Sequence, residues 1–279
     1  MRKLLGLVLI LAPMIAAAQS AASGTWRIDA DTAKMDSKPH VFEVKDGWFK
    51  CSTCDPKISI KADGTEQPIS GDPYVDTEKV TVRDKNTVDQ IGTRNGKLVF
   101  RATFTVSPDG QTLTERFEGH PAGGDQVVTG ATVYTRIGEP TPDAAAMSGQ
   151  WRTARFEGIS ENALTFTYTP TANGMSYQAK TGENYTAKFD GNDYPYHGDP
   201  GTTAVVVKKI NDREFVETYK RNGEVTGSAT MTLSPDGKSM TIVAHDLRRG
   251  TTDTFTATRE SEAGAPAMAG DKDKREQDK

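Results

Sequence analysis

Two cysteines with two residues between them have the spacing of redox and metal-binding motifs. The segment Cys51-Ser-Thr-Cys54 contains both cysteines of the 279-residue sequence. A thioredoxin-like site places its first cysteine at a helix N-terminus in a βαβ unit, where the thiol pKa falls. The sequence around Cys51 predicts neither feature. A covalent haem site needs histidine after the second cysteine, where Asp55 stands, and a zinc site needs two further ligands. We therefore expect a structural Cys51–Cys54 disulfide at a hairpin tip, with redox and metal roles as alternatives.

Histidines and two acidic segments are the remaining candidates for catalysis or metal binding. No serine or cysteine accompanies a histidine in a recognisable motif, so we interpret each as a surface or loop residue: His40, His120, His197 and His245. The acidic segments 63–73 and 190–200 offer oxygen ligands without the spacing of an EF-hand calcium loop. We interpret these segments as tight connections, and we expect neither a metal nor a cofactor.

Aromatic side chains near predicted turns are the best candidates for contact with a ligand. Trp48 and Phe49 precede the first cysteine, and Tyr194 and Tyr196 lie in the acidic segment of the second half. Aromatic rings with a polar end are common at sites where one side of the ring contacts water. These four residues form the predicted ligand-binding rim, and partial burial against a neighbouring loop is the alternative.

An internal duplication must position all of these residues. Ser23-Gly-Thr-Trp26-Arg27 returns as Ser148-Gly-Gln-Trp151-Arg152. Asn95-Gly96 returns as Asn222-Gly223, and Ser107-Pro-Asp-Gly110 as Ser234-Pro-Asp-Gly237, both 127 positions later. The same offset places Gln178 opposite Cys51 and Thr181 opposite Cys54. The duplication predicts two copies of one fold, the second of which makes the equivalent turn without a disulfide.

Period-two alternation broken by turn residues dominates each copy. Phe100, Ala102, Phe104 and Val106 alternate with polar side chains, which predicts a strand with one buried face. Asn-Gly suits the type I′ turn of a hairpin, and Ser-Pro-Asp-Gly suits a type I turn. We predict an all-β protein of antiparallel meanders. Because a meander must protect its edge strands, we expect barrels or half-open sandwiches.

Both ends of each copy resemble lipocalins and other calycins. Gly24-Thr-Trp26 and Gly149-Gln-Trp151 are similar to the Gly-x-Trp motif that opens the first strand of those barrels. Calycins also place an arginine of the last strand against the tryptophan ring, and Arg136 and Arg259 stand near the ends of the copies. The resemblance implies two tandem calycin-like barrels, in which Trp26 stacks with Arg136 and Trp151 with Arg259.

The full pattern also resembles a group of secreted bacterial proteins that share the signatures SGTWR, DGxxxPxxGDP and SPDG. This resemblance covers both copies. It implies the duplicated fold and export from the cell, and it carries no activity with it.

The chain ends are predicted to lie outside the barrels. Arg2 and Lys3, an apolar stretch and the alanines 16–18 form the pattern of a signal peptide, with cleavage expected near Ala18 and Ala22 as the second choice. The apolar stretch is too short to span a bilayer comfortably, and no later segment is apolar enough. The pattern predicts a periplasmic or extracellular protein, in which the two cysteines should oxidise. Residues 260–279 are charged and predict a disordered tail.

These observations predict a binding protein or an interaction protein. The formal net charge is −4 without a basic block, so we expect no nucleic-acid partner. The predicted organisation is a signal peptide (1–22), a first barrel (23–137), a linker (138–147), a second barrel (148–259) and a tail (260–279). The favoured function is an exported, non-enzymatic protein that binds a small apolar or amphipathic ligand. An envelope interaction or stress protein is the alternative, a hydrolase is the least favoured class, and the oligomeric state stays open.

Overall fold

Antiparallel strands form almost the entire fold in the computed structural model, which describes residues 21–121 and 126–260. The strands of the first repeat are β1 (Gly24–Lys34), β2 (His40–Lys45), β3 (Trp48–Cys51), β4 (Ile58–Lys61), β5 (Asp63–Pro68), β6 (Thr77–Val82), β7 (Thr87–Arg94), β8 (Lys97–Val106), β9 (Thr112–Gly119) and β10 (Val128–Ile137). Those of the second repeat are β11 (Gly149–Glu157), β12 (Thr165–Pro170), β13 (Gly174–Ala179), β14 (Asn184–Lys188), β15 (Tyr194–His197), β16 (Ala204–Asn211), β17 (Glu214–Arg221), β18 (Glu224–Leu233), β19 (Ser239–Asp246) and β20 (Thr251–Arg259). The described residues contain one helix, α1 (Glu161–Leu164). The predicted all-β class is confirmed.

The strands form two barrels, and each repeat gives its first strand to the barrel of the other. Barrel 1 has ten strands in the order β4-β3-β2-β11-β10-β9-β8-β7-β6-β5 and is nearly closed, with the consecutive strands β4 and β5 at its edges. Barrel 2 is closed, in the order β1-β12-β13-β14-β15-β16-β17-β18-β19-β20. Two tandem antiparallel barrels are thus confirmed. The predicted barrel boundaries 23–137 and 148–259 are wrong, because β1 and β11 change places.

Backbone pairing explains how the same sequence pattern supports this exchange. Thr25 of β1 pairs with Thr167 of β12, and the equivalent Gln150 of β11 pairs with Val41 of β2. β1 and β11 begin with the same motif and pair with β12 and β2 in the same register, so each takes the equivalent place in the barrel of the other repeat. Residues 35–39 connect β1 to β2 and so link the two barrels.

Alternation of side chains fills both barrels. In β7, Val88, Gln90 and Gly92 are buried while their neighbours are partly exposed. The buried residues of barrel 1 include Phe42, Phe49, Cys51, Phe104, Leu113 and Trp151, and those of barrel 2 include Trp26, Tyr168, Tyr185, Val207, Met231 and Met240. Removal of these apolar surfaces from water is the main favourable contribution to folding.

Hairpin turns adopt the conformations that their residues predict. Asn95 and Gly96 have φ values of 50° and 73°, and Asn222 and Gly223 have 52° and 88°. Positive φ at both central positions defines the predicted type I′ turn. In the Ser-Pro-Asp-Gly turns, the Gly110 N–H donates to the Ser107 carbonyl at 2.8 Å. In the second repeat, the Gly237 N–H donates to the Ser234 carbonyl at 3.0 Å.

An arginine lies over a tryptophan at one end of each barrel, but the pairs differ from those that the calycin resemblance implies. Arg136 Cζ lies 4.1 Å from the ring centroid of Trp151, and Arg259 Cζ lies 4.2 Å from that of Trp26. The predicted pairs Trp26–Arg136 and Trp151–Arg259 are wrong, because each tryptophan moves with its exchanged strand. Each arginine still stacks on the tryptophan of its own barrel.

The stacked arginines also close the barrel ends by hydrogen bonds. Arg136 donates to the carbonyls of Gly110, Ala146 and Ser148. Gly149 has a φ of 139°, and a Cβ there would lie 2.5 Å from Arg136 Nη1. The Gly-x-Trp motif thus needs glycine both for its backbone conformation and for the guanidinium beside it.

Short segments before β1 and β11 belong to the barrels. Met147 is buried in barrel 1 and its carbonyl accepts the Trp151 Nε1–H at 2.8 Å. Ala22 is buried in barrel 2 and accepts the Trp26 Nε1–H at 2.8 Å. The predicted linker 138–147 therefore ends too late, because Met147 belongs to barrel 1. The predicted signal peptide 1–22 ends too late as well, because Ala22 belongs to barrel 2. Residues 1–20 of the predicted signal peptide and 261–279 of the predicted tail lie outside the described residues.

Cys51 and Cys54 form a disulfide with an S–S distance of 2.07 Å, as predicted. Cys51 is fully buried and pairs with Phe42, whereas Tyr177 pairs with Tyr168, the counterpart of Phe42. Tyr177, rather than the predicted Gln178, therefore occupies the position of Cys51 in the second repeat. Among the residues that the structure describes, no helix is long and apolar enough to cross a membrane.

Candidate functional site

A cavity of about 550 Å³ lies at the mouth of barrel 2, where loops of barrel 1 cover part of it. Barrel 2 contributes Phe166, Tyr177 and Tyr196, and barrel 1 contributes Val99 and His120. The cavity therefore needs both barrels, because neither one supplies all of its walls.

Aromatic rings from successive strands form the floor of this cavity. Tyr177 of β13 lies 5.8 Å from Phe166 and 6.5 Å from Tyr196 of β15, between ring centroids. Tyr185 lies beneath them, stacked on Tyr177 at 5.5 Å. These separations lie in the range of favourable aromatic pairs. The floor is thus a continuous set of rings whose orientations depend on one another. We call Phe166, Tyr177 and Tyr196 the aromatic floor.

Glu217 of β17 is buried below the aromatic floor and accepts hydrogen bonds from three tyrosines. The Tyr168 hydroxyl donates to Glu217 Oε1 at 2.7 Å, Tyr185 donates to the same oxygen, and Tyr219 donates to Oε2. Only 2 % of Glu217 is exposed. A buried carboxylate is tolerated when its oxygens are satisfied in this way. Through Tyr185 and Tyr219, Glu217 fixes the rings that support the cavity.

Burial dominates the titration behaviour of this cluster. Burial raises the pKa of Glu217, and the hydrogen bonds from Tyr185, Tyr219 and Tyr168 oppose that shift. Burial and the nearby Glu217 carboxylate raise the pKa of Tyr185 and Tyr219. The tyrosines therefore remain protonated hydrogen-bond donors at neutral pH.

Tyr74 joins the two barrels at the cavity wall. It follows β5 in barrel 1, and its hydroxyl contacts Asp199 of barrel 2. Gly201 makes this approach possible, since a Cβ there would lie 2.1 Å from the Tyr74 hydroxyl. Asp199 also accepts the Gly201 N–H at 2.8 Å. The wall that barrel 1 supplies is therefore held at the mouth of barrel 2.

The cavity combines apolar rings with a few polar groups. Glu183, Asp199 and Thr181 lie at its border, and Glu217 below it has its oxygens occupied by tyrosine hydroxyls. Within residues 21–121 and 126–260, no group of three His, Cys, Asp or Glu side chains could hold a metal ion. The arrangement suits recognition of a ligand with an apolar face.

Of the four predicted rim residues, Tyr196 lies in this cavity. Phe49 is 1 % exposed in the core of barrel 1, so its prediction as a rim residue is wrong. Trp48, adjacent in β3, points the other way and is 43 % exposed outside the cavity. Tyr194 packs at the edge of the barrel 2 core and donates to Asp190 at 2.8 Å.

Sequence reasoning missed Phe166, Tyr177 and Glu217. A usable signal for Glu217 was its inward position in β17, between Phe215 and Tyr219. A charged residue on the inward side of an alternating strand marks a buried polar group that needs partners. The first repeat has Gln90 at the equivalent position, so the duplication itself distinguishes the two interiors.

Comparison of the sequence with models of protein families and with curated proteins gives no match.

Proposed function

We propose that this chain is an exported, non-enzymatic binding protein that holds a small amphipathic ligand in the mouth of barrel 2. The observation that carries the proposal is the cavity of about 550 Å³ over the aromatic floor. Sites for small molecules have volumes of roughly 300–1,000 Å³ and combine aromatic walls with a few polar groups. The disulfide and the predicted signal peptide support the export part of the proposal.

The lining indicates what kind of ligand fits. The rings of the aromatic floor suit a flat apolar face, which gains free energy when it leaves water. The carboxylates of Glu183 and Asp199 at the border suit hydroxyl groups or a cation. We therefore expect an uncharged or cationic amphipathic molecule, and we expect anionic amphiphiles to bind more weakly.

Preorganisation of the floor favours affinity. Tyr196 packs edge-on against Tyr219 with ring centroids 6.1 Å apart, and Tyr219 donates to Glu217. Rings that are held before the ligand arrives lose little conformational entropy on binding. Glu217 thus supports binding without touching the ligand.

Titration with the uncharged fluorescent probe N-phenyl-1-naphthylamine tests the proposed site. The wild-type protein should enhance the fluorescence of the probe, and Tyr196→Ala should weaken binding about tenfold because it removes one ring of the floor. Tyr194→Ala is the matched control, since Tyr194 belongs to the same strand but does not line the cavity. Equal affinities of the two variants would show that the probe does not use this mouth.

Native mass spectrometry of the protein purified from its exported compartment tests for the natural ligand. Extra mass that disappears on denaturation supports the binding function, and its value limits the identity of the ligand. A clean apo mass, together with failure of the probe to bind, would reject the proposal. The envelope interaction protein would then be the preferred hypothesis.

A further inference from the structure

A second cavity of about 490 Å³ lies at the mouth of barrel 1, where the turn between β19 and β20 of barrel 2 covers it. It is related to the first cavity by the duplication. His40 takes the place of Phe166, since each pairs with the tryptophan of the exchanged strand. Thr153 takes the place of Ile28 by the same register. At these two positions, polar residues replace apolar ones.

Arg249 enters this second cavity from barrel 2. Its Nη2 donates to His40 Nδ1 at 3.2 Å, and His40 Nε2 lies 3.3 Å from Thr153 Oγ1. Burial, followed by the charge of Arg249, lowers the pKa of His40 to about 4. At neutral pH His40 is therefore an uncharged acceptor, and its Nε2–H donates to Thr153. The prediction that His40 is a surface or loop residue is wrong, because it is a partly buried residue of β2.

The guanidinium of Arg249 has no carboxylate partner in the described part of the chain. Three carboxylates, those of Asp36, Asp55 and Asp253, also line the cavity, and each contacts another group. Asp55 pairs with Arg248 at 2.5 Å. Asp36 accepts the backbone N–H groups of Lys38 and Thr252, and Asp253 accepts that of Asp36. Arg249 is thus a partly buried cation inside a cavity, and its charge is not compensated by an ion pair there.

We propose that the mouth of barrel 1 is a second binding site, which takes a hydroxylated organic anion. Arg249 binds the carboxylate or phosphate group of that ligand, because a guanidinium donates two parallel hydrogen bonds to such groups. Lys38, Lys57 and Arg248 line the same cavity; Arg248 pairs with Asp55, and the exposed Lys57 adds positive charge at the border. Ser52, Thr53 and Thr132 supply hydroxyls for the rest of the molecule.

The size of the cavity fits an organic ligand. About 490 Å³ is far more than a lone inorganic ion occupies, and it lies in the range of small-molecule sites. Hydroxyl side chains on the wall match a polyol or sugar. The duplication has thus produced two mouths with different linings, one over the aromatic floor and one with Arg249 beside hydroxyl side chains.

Calorimetric titration with glucuronate, glucose 6-phosphate and glucose tests this site. The two anionic sugars bring a carboxylate and a phosphate, and glucose is the neutral control. We expect at least one anion to bind the wild-type protein and glucose to bind at least tenfold more weakly. Binding of glucuronate alone or of glucose 6-phosphate alone supports the site and identifies the anionic group.

Three variants locate the binding on the structure. Arg249→Gln should weaken binding of the anion at least tenfold, and Lys57→Gln, at an exposed position, should weaken it several-fold. Arg213→Gln, an exposed arginine in the turn between β16 and β17, is the matched control and should change nothing. Failure of both anions to bind, or equal affinity of the wild type and both Arg249→Gln and Lys57→Gln, would overturn the proposal. Tyr196→Ala should leave this binding unchanged, which separates it from the function proposed for barrel 2.

Discussion

Arg259, on the last strand, lies over the ring of Trp26, on the first, with Cζ 4.2 Å from the ring centroid. Because the strand that carries Trp26 belongs to the first repeat, this contact joins the two repeats within one barrel. The equivalent contact between Arg136 and Trp151 joins them within the other barrel. The duplication therefore forms two interdependent barrels.

Cysteine cross-linking should distinguish exchanged strands from contiguous barrels. Thr25 and Thr167 are paired, with hydroxyl oxygens 3.0 Å apart. The variant Thr25→Cys/Thr167→Cys should form a disulfide under mild oxidation, which intact mass and gel mobility detect. Thr25→Cys/Val41→Cys should not cross-link, because Val41 pairs with Gln150. A cross-link in the Val41 variant but not in the Thr167 variant would show that the first strand stays in its own repeat.

A double-mutant cycle should find energetic coupling within the observed pairs. Trp26→Phe and Arg259→Lys should show a coupling free energy of about 1 kcal/mol in denaturant unfolding, since they share a cation–π contact. Trp26→Phe and Arg136→Lys should be additive, because the two side chains lie in different barrels. Coupling in the second cycle and none in the first would contradict the strand exchange.

Glu78 should make stability fall as the pH rises. Burial raises the pKa of Glu78 from 4.5 to about 7, although a hydrogen bond from Gln90 opposes the shift. The folded state therefore binds more protons than the unfolded state between these values, and the free energy of unfolding decreases through this window. Glu78→Gln should remove this part of the pH dependence and stabilise the protein above pH 7 by on the order of 3 kcal/mol.

Urea unfolding at pH 5 and pH 8 measures this effect. The exposed Glu66→Gln variant in the same barrel serves as the control and should follow the wild type at both values. If the free energies of unfolding of the wild type and Glu78→Gln differ by the same amount at pH 5 and pH 8, the Glu78 carboxyl does not titrate in this window.

Processing of an exported form should leave Ala21 and Ala22 in the mature chain. Arg259 donates to the carbonyl of Ala21, and Ala22 fills the end of barrel 2. Cleavage after Ala18 preserves both contacts, whereas cleavage after Ala22 removes them. Intact-mass measurement of the secreted protein should therefore give a mature chain that begins at Gln19. A stable mature chain beginning at Ser23 would show that the barrel closes without this segment.

Local patterns in the sequence are sufficient to predict strands and turns, and the internal duplication with the calycin resemblance predicts two barrels. Alternation and the Asn-Gly turns depend on neighbouring residues, so they were readable. The choice of barrel for β1 was not, because the Gly-x-Trp motif is the same in both repeats and each tryptophan has two equivalent arginines. The aromatic floor was equally hidden, since Phe166, Tyr177 and Tyr196 come together only when three strands curve around one interior.

The placement of β1 also sets the order in which the protein can be completed as it is made. Barrel 1 needs nothing beyond β11, so it can close once the first strand of the second repeat has emerged. The earliest strand, β1, must instead wait for β12 and β20, its neighbours in barrel 2. Until then its edges are unpaired and open to association with other chains. The first strand to be synthesised is among the last to be placed, and it is the part of the nascent chain most in need of protection.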